Sequence, residues 1–137
     1  MIYGIGCDSC MAARICTSLT GKHGAHFAQR VFGAGERAAL GLEKALPAGL
    51  AAHTAESAAA NFAAKEAFLK AAGTGLAGFA LGEIEALRAP SGAPYYRFSG
   101  AAAVWMEQNG LRAHLSLTHE GGQALAFCIL EKTARGE

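Results

Sequence analysis

The sequence predicts an α+β fold in which a mostly antiparallel sheet packs on one long central helix. Residues 54–72 are an alanine-rich run of helical character that stops at Gly73. Short strand-like segments fall into hairpins, at 83–98 and 114–131, and the helices stand apart from them. No internal repeat and no long linker divides the chain, so residues 1–137 read as one domain.

Residues 2–8 (IYGIGCD) read as a short buried strand ending at an acid. A helix is expected from residue 9 or 10 to 20, with Gly21 and Gly24 breaking it. Residues 27–32 (FAQRVF) form a short apolar piece, and a second helix is expected over 34–45, ended by Pro47 and Gly49. Thr54 is the expected N-cap of the long helix, with Glu56 in its first turn where the helix dipole favours an anion. The alanines of that helix let other backbones approach closely, which makes it the centre of the core. Residues 83–87 and 95–98 read as strands around a turn. Ser99 or Gly100 opens a helix to Asn109, closed by Gly110. The last two strands, 114–118 and 124–131, flank the turn Glu120-Gly121-Gly122.

A chain of 137 residues buries a core without staples. The net charge of +1 excludes nucleic-acid or membrane-surface binding through bulk electrostatics, so a charged partner must meet a local patch. Charged residues are 17% of the chain and hydrophobic ones 52%, a balance that points to apolar surface hidden in an oligomer. No apolar run is long enough to span a bilayer. The segment MIYGIGCDSC lacks a basic region and reaches an acid at Asp8, so it does not read as a signal peptide. Cys7, Cys10, Cys16 and Cys128 do not take zinc-finger spacing, and reduced thiols in a cytoplasmic protein are the expectation.

The chemistry concentrates in residues 61–75, NFAAKEAFLKAAGTG. Successive helical residues advance about 100°, so Glu66 and Lys70 lie about 40° apart on one face, with Phe62 a turn earlier. Alone, Glu66 and Lys70 make an ordinary i,i+4 ion pair worth a few tenths of a kcal/mol. With Lys65 they also place a carboxylate and two ammonium groups against an apolar wall, which suits a metal-bridged phosphate. Asp8 reads either as a turn or helix-capping residue or as a metal ligand beside the glycines at 4 and 6. Two carboxylates, Asp8 and Glu66, suit a magnesium ion that keeps its waters and completes its shell from substrate phosphates. Lys70 is placed to neutralise charge on a phosphate leaving group. Gly73-Thr74-Gly75 offers backbone N–H groups to a phosphate, although no P-loop lysine follows. His114 and His119 are an odd number of residues apart on a strand, so they face opposite ways and do not form a zinc pair. Ser116 and Thr118 share the side of His114, giving one hydrogen-bonding face for a phosphate.

Taken in order, GIGxD, RI, RVFxxxE, FAAKEAxxKAxGTG, GxP, HLSLTHE and AFCILE resemble the holo-[acyl-carrier-protein] synthase family, the short bacterial-type 4′-phosphopantetheinyl transferases. The resemblance covers residues 3–131. It implies transfer of the 4′-phosphopantetheine arm of coenzyme A to a serine of apo-acyl carrier protein. The other product is adenosine 3′,5′-bisphosphate, and the reaction supports fatty acid biosynthesis. It implies further that Asp8 and Glu66 hold Mg²⁺ against the coenzyme A pyrophosphate and that Lys70 neutralises it. Lys65 would also contact phosphates, and Gly73 and His114 would line the coenzyme A pocket. Glu66, or a metal-bound water beside it, would remove the serine proton. Small members of the family are trimers with active sites between subunits. They dock the acidic carrier on the helix after the first strand, where Arg14 matches best and Lys22 and Arg30 are further candidates.

The chain departs from the family at Met11, where many relatives carry an acid, so no third protein ligand is named. The loop over 44–53 carries over no adenine contacts. Two other functions compete: a different magnesium-dependent phosphotransfer on a nucleotide, or a degenerate relative that binds carrier protein or coenzyme A without turnover. The presence of Asp8, Glu66 and Lys70 together argues against degeneration.

Overall fold

A computed structural model describes residues 1–43, 49–75 and 78–134. Strand β1 (Ile2–Met11) is followed by helices α1 (Ala12–Thr20), α2 (Gly24–Val31), α3 (Ala34–Leu40) and the long α4 (Ala52–Ala72). A 3₁₀ turn, Leu81–Glu83, leads into β2 (Ile84–Arg88) and β3 (Pro94–Phe98). Helix α5 (Gly100–Gln108), β4 (Leu111–Glu120) and β5 (Gln123–Lys132) complete the order. Every strand pair is antiparallel, but the strands form two sheets, β1-β5-β4 and β2-β3.

The alanines of α4 explain its central place. Ala58, Ala59, Ala63, Ala64 and Ala67 are fully enclosed, and their small side chains let strands lie against the helix backbone. On β1 the matching residues are glycines. A Cβ on Gly6 would stand 1.8 Å from the Ala67 carbonyl oxygen, and one on Gly4 would stand 1.9 Å from that of Ala71. No other residue type fits there. Phe68 gathers the remaining elements: its ring centroid lies 4.8 Å from Phe98 and 6.2 Å from Trp105. The Tyr96 hydroxyl donates to the Ala64 carbonyl at 2.6 Å, which ties β3 to the same helix.

The three-stranded sheet alternates cleanly. Gly6 and Cys10 on β1, and Ala124, Ala126, Cys128 and Leu130 on β5, face α4 and are buried. Asp8 pairs with Ala126 and therefore points to the same side. The outer face carries Ile5, Met11, Leu125 and Phe127, all exposed.

Several boundaries differ from expectation, among them β4, which starts at Leu111 rather than His114. β1 runs past Asp8 to Met11, because β5 keeps pairing with it as far as Met11↔Gln123, and the Ala12 N–H then donates to Gly122 O at 2.8 Å. Helix α1 accordingly starts at Ala12. The FAQRVF segment lies mostly within α2, whose buried positions Gly24, Ala28 and Val31 give it one inward stripe. Helix α3 stops at Leu40, where Gly41 takes a left-handed φ of 71°; residues 44–48, including Pro47, lie outside the described residues. Thr54 is not a cap. Ala51 is the extended residue before α4, and its carbonyl accepts from the Ala55 N–H at 3.0 Å, so Thr54 falls inside the first turn.

Candidate active site

Asp8, Glu66 and Lys70 come together where β1 crosses α4. The glycine contacts bring the strand onto the helix, and Asp8 is the next inward-facing residue after Gly6. The Lys70 ammonium lies 3.0 Å from Asp8 Oδ1 and also donates to the Cys7 carbonyl at 3.0 Å. Lys70 is 57% exposed and Asp8 22%, so the pair opens to solvent at one edge of the sheet. Burial and the neighbouring charge of Asp8 push the Glu66 carboxyl up from its usual range, and Lys70 and Arg14 partly restrain the rise. Arg14 on α1 stacks its guanidinium 5.6 Å from the centroid of Phe62, one turn before Glu66 on α4.

This donor set suits a hard divalent cation. Two half-buried carboxylates at one strand–helix crossing repel each other, and an oxygen-seeking ion relieves that repulsion. Among the described residues, no group of three or more His, Cys, Asp or Glu side chains is placed to hold a metal ion. Asp8 and Glu66 would supply two oxygen ligands to such an ion and leave positions for water and substrate oxygens, which is the habit of Mg²⁺.

Lys65 is not part of this group, contrary to the expectation that it contacts phosphates. It sits about 100° around α4 from Glu66 and is completely enclosed. Its ammonium is bonded to Glu36 Oε1, to Leu81 O at 3.0 Å and to Ile84 O at 2.6 Å, which uses all three donors. Burial pushes the Lys65 ammonium down and the Glu36 carboxyl up, and each partner holds the other's charge against that.

Gly73 lies one turn beyond Lys70, in a left-handed conformation (φ 77°) with open space around it. Its N–H is already bonded to Leu69 O and Lys70 O, so it gives room for a ligand rather than a donor. His114 is not brought to the cluster either. It pairs with Ile129 on the outer face of the sheet and bonds to Glu131 at 3.0 Å. His119, on the other face, has its Nδ1 3.8 Å from Glu56. It helps line a cavity of about 310 Å³ with Ser9 and Thr118.

A larger cavity, about 370 Å³, opens between α4 and β2 and is lined by His53, Ser57, Asn61, Arg88 and Tyr95. Sequence reasoning did not single out Arg88, Asn61 or Glu36 as a group, because their partners are remote along the chain. Arg88 donates to Asn61 Oδ1 at 2.9 Å, and Asn61 donates to Glu36 Oε2 at 3.0 Å. The RVFxxxE motif contained Glu36 but said nothing of what it meets.

Paired carboxylates and a lysine on a glycine-packed helix and strand make a donor set of the kind that suits metal-assisted group transfer. Residues 4–128 match the family model described as the 4′-phosphopantetheinyl transferase superfamily, ACPS. The chain is 44% identical over 133 residues to the holo-[acyl-carrier-protein] synthase of Herminiimonas arsenicoxydans, covering 96% of this chain and 99% of that protein. The counterpart from Methylobacterium radiotolerans is 42% identical over 137 residues, covering 96% and 94%. Among solved structures, the Neisseria meningitidis synthase superposes with a TM-score of 0.80 at 35% identity, covering 96% of this chain and 100% of that one. The Bacillus anthracis synthase, solved in complex with CoA (3′,5′-ADP), gives 0.75 at 30% identity over 97% and 99%. The chain belongs to the holo-[acyl-carrier-protein] synthase family of that superfamily.

Proposed function

We propose that residues 1–137 form a single transferase domain that moves 4′-phosphopantetheine from coenzyme A to a serine of apo-acyl carrier protein. The observation that carries this reading is the meeting of Asp8, Glu66 and Lys70 where β1 crosses α4, in a chain of this family. Asp8 and Glu66 would hold Mg²⁺, which supplies positive charge to the pyrophosphate when bound. Lys70, flexible and more than half exposed, leaves Asp8 to meet the phosphate oxygens as charge builds on the leaving group. The serine and the phosphorus are held in line by binding, and positioning with charge neutralisation carries most of the rate.

The acidic carrier docks beside Arg14. From Ser9 to Gly35 the chain has no acid, while it carries Arg14, Lys22 and Arg30, which makes α1 and α2 a local basic surface on a nearly neutral protein. The active unit is a homotrimer joined through the outer face of the β1-β5-β4 sheet. Ile5, Met11, Leu125 and Phe127 there are 40–55% exposed in the single chain, an apolar stripe of the kind that interfaces cover. His114 lies on that face, so the coenzyme A contact implied for it would be made to a neighbour's site. The enzyme works in the cytoplasm with its four cysteines free, and neither nucleic acid nor membrane is a partner. Among the described residues no helix is long and apolar enough to cross a membrane.

The test is substitution at the metal pair. Asp8→Asn and Glu66→Gln should each abolish transfer and weaken Mn²⁺ binding in calorimetry while sedimentation still shows a trimer. Near-wild-type transfer by both variants would refute the assignment.

A further inference from the structure

The buried pair behind the site has no part in the reaction as described, yet the fold invests many directional bonds in it. Lys65 spends its three N–H groups on Glu36, Leu81 O and Ile84 O. Glu36 in turn accepts from the Gly33 N–H at 3.0 Å, the Asn61 amide at 3.0 Å and the Ala86 N–H at 3.1 Å. Asn61, one turn before Lys65 on α4, also donates to Ala86 O at 3.0 Å. Helix α4 is therefore fastened along one side to α3, to the 3₁₀ turn and to β2.

The opposite side of α4 is the one that meets β1. Ala67 lies roughly 160° around the helix from Lys65, and it is Ala67 that the Gly6 backbone touches. That contact is between small, smooth surfaces and resists compression, but it does little to stop the helix turning about its own axis. Glu66 and Lys70 point out between the two sides. At a side-chain radius of about 6 Å, a turn of about 10° moves the Glu66 carboxylate by about 1 Å. Misplacement on that scale costs a catalytic site up to about 10²-fold.

Stability alone is a weak reason for the pair, since taking two charges out of water offsets most of their attraction. Apolar groups would hold the core as well, but without directional bonds of the kind that Lys65, Glu36 and Asn61 make. We propose that Lys65, acting through Glu36, is a positioning residue that sets the rotation of α4, so that Glu66 and Lys70 face Asp8. This rests on the reading of Asp8 and Glu66 as the metal pair.

The experiment uses the full chain carrying Glu36→Gln with Lys65→Met, which leaves no buried charge unpaired and keeps an amide for Ala86 and Asn61. Thermal unfolding, Mn²⁺ calorimetry and steady-state kinetics are read together. The expected result is a folded protein whose kcat falls roughly 10- to 100-fold and whose Mn²⁺ affinity drops severalfold, with the KM for carrier protein within about twofold of wild type. A role confined to stability would lower the melting temperature and leave kcat per folded molecule and Mn²⁺ affinity unchanged; that result overturns the proposal. Should the double variant fail to fold, Glu36→Asp keeps the charge pair but shortens the arm by one methylene, and the same readouts decide. Failure of the metal assignment itself shows separately, as wild-type Mn²⁺ affinity in Asp8→Asn and Glu66→Gln.

Discussion

Replacing Gly6 by alanine perturbs the contact that sets Asp8 against α4 without touching any charged group. The new Cβ would stand 1.8 Å from Ala67 O and 2.8 Å from the Ala71 nitrogen, and both are backbone atoms that cannot turn aside. Strand and helix must part by roughly 1 Å or more before the methyl group fits, an overpacking that typically costs about 1–3 kcal/mol. For a chain of this size that lowers the melting temperature by roughly 3–15 °C. The same displacement carries Asp8 away from Glu66, and a 1 Å error at a reacting site costs about 10²-fold in rate. Gly82→Ala is the control, since a Cβ there meets nothing nearer than 3.9 Å. Melting is followed by calorimetry and transfer by the mass of the carrier. A Gly6→Ala protein that melts within about 2 °C of wild type and transfers at the wild-type rate would refute the account of how the site is built.

Other substitutions reach separate parts of the account. Lys70→Met should lower kcat by roughly 10²- to 10³-fold, as for loss of one preorganised charge at a developing anion. Its stability should stay within about 1 kcal/mol of wild type, because the lysine end of the pair it makes with Asp8 is more than half exposed; a chemical melt checks this. Phe127→Asp places a charge in the middle of the outer sheet face and should convert the proposed trimer to monomers in sedimentation, with loss of transfer. Burial alone would push the Glu85 carboxyl up, but the Glu36 N–H and the Arg97 guanidinium outweigh it and hold it below the usual range. Its contribution to stability is therefore complete above the ordinary carboxylate range and is lost as pH falls through the lowered value. Glu85→Gln should be less stable than wild type at neutral pH, and its melting temperature should fall less steeply on acidification.

The relative placement of several side chains was legible because it is local. Helical spacing alone put Glu66 and Lys70 on one face, and alternation alone separated His114 from His119. The α+β class followed from turn signals, and those at Gly73 and at Gly121-Gly122 hold in the structure, all three glycines having positive φ. Lys65 was misread because nothing near it in sequence reports its surroundings: Glu36, Leu81 and Ile84 are all brought in by other elements. The end of β1 was misplaced for a similar reason. The polar residues after Cys7 suggest a stop, but the strand ends where its antiparallel partner β5 begins, at Gln123. Thr54 has the chemistry of a cap, yet the chain turns into α4 at Ala51, ahead of it. The division of the strands into two sheets lay in tertiary packing around Phe68, which no spacing rule encodes.

The most direct measurement is the mass of apo-acyl carrier protein after incubation with this protein, coenzyme A and Mg²⁺. The account predicts a gain of one phosphopantetheine, roughly 340 Da, by metal-assisted transfer, and no gain when Glu66→Gln replaces the wild-type chain. An unchanged carrier mass with the wild-type protein, using a carrier that a relative of the family does convert, would contradict it.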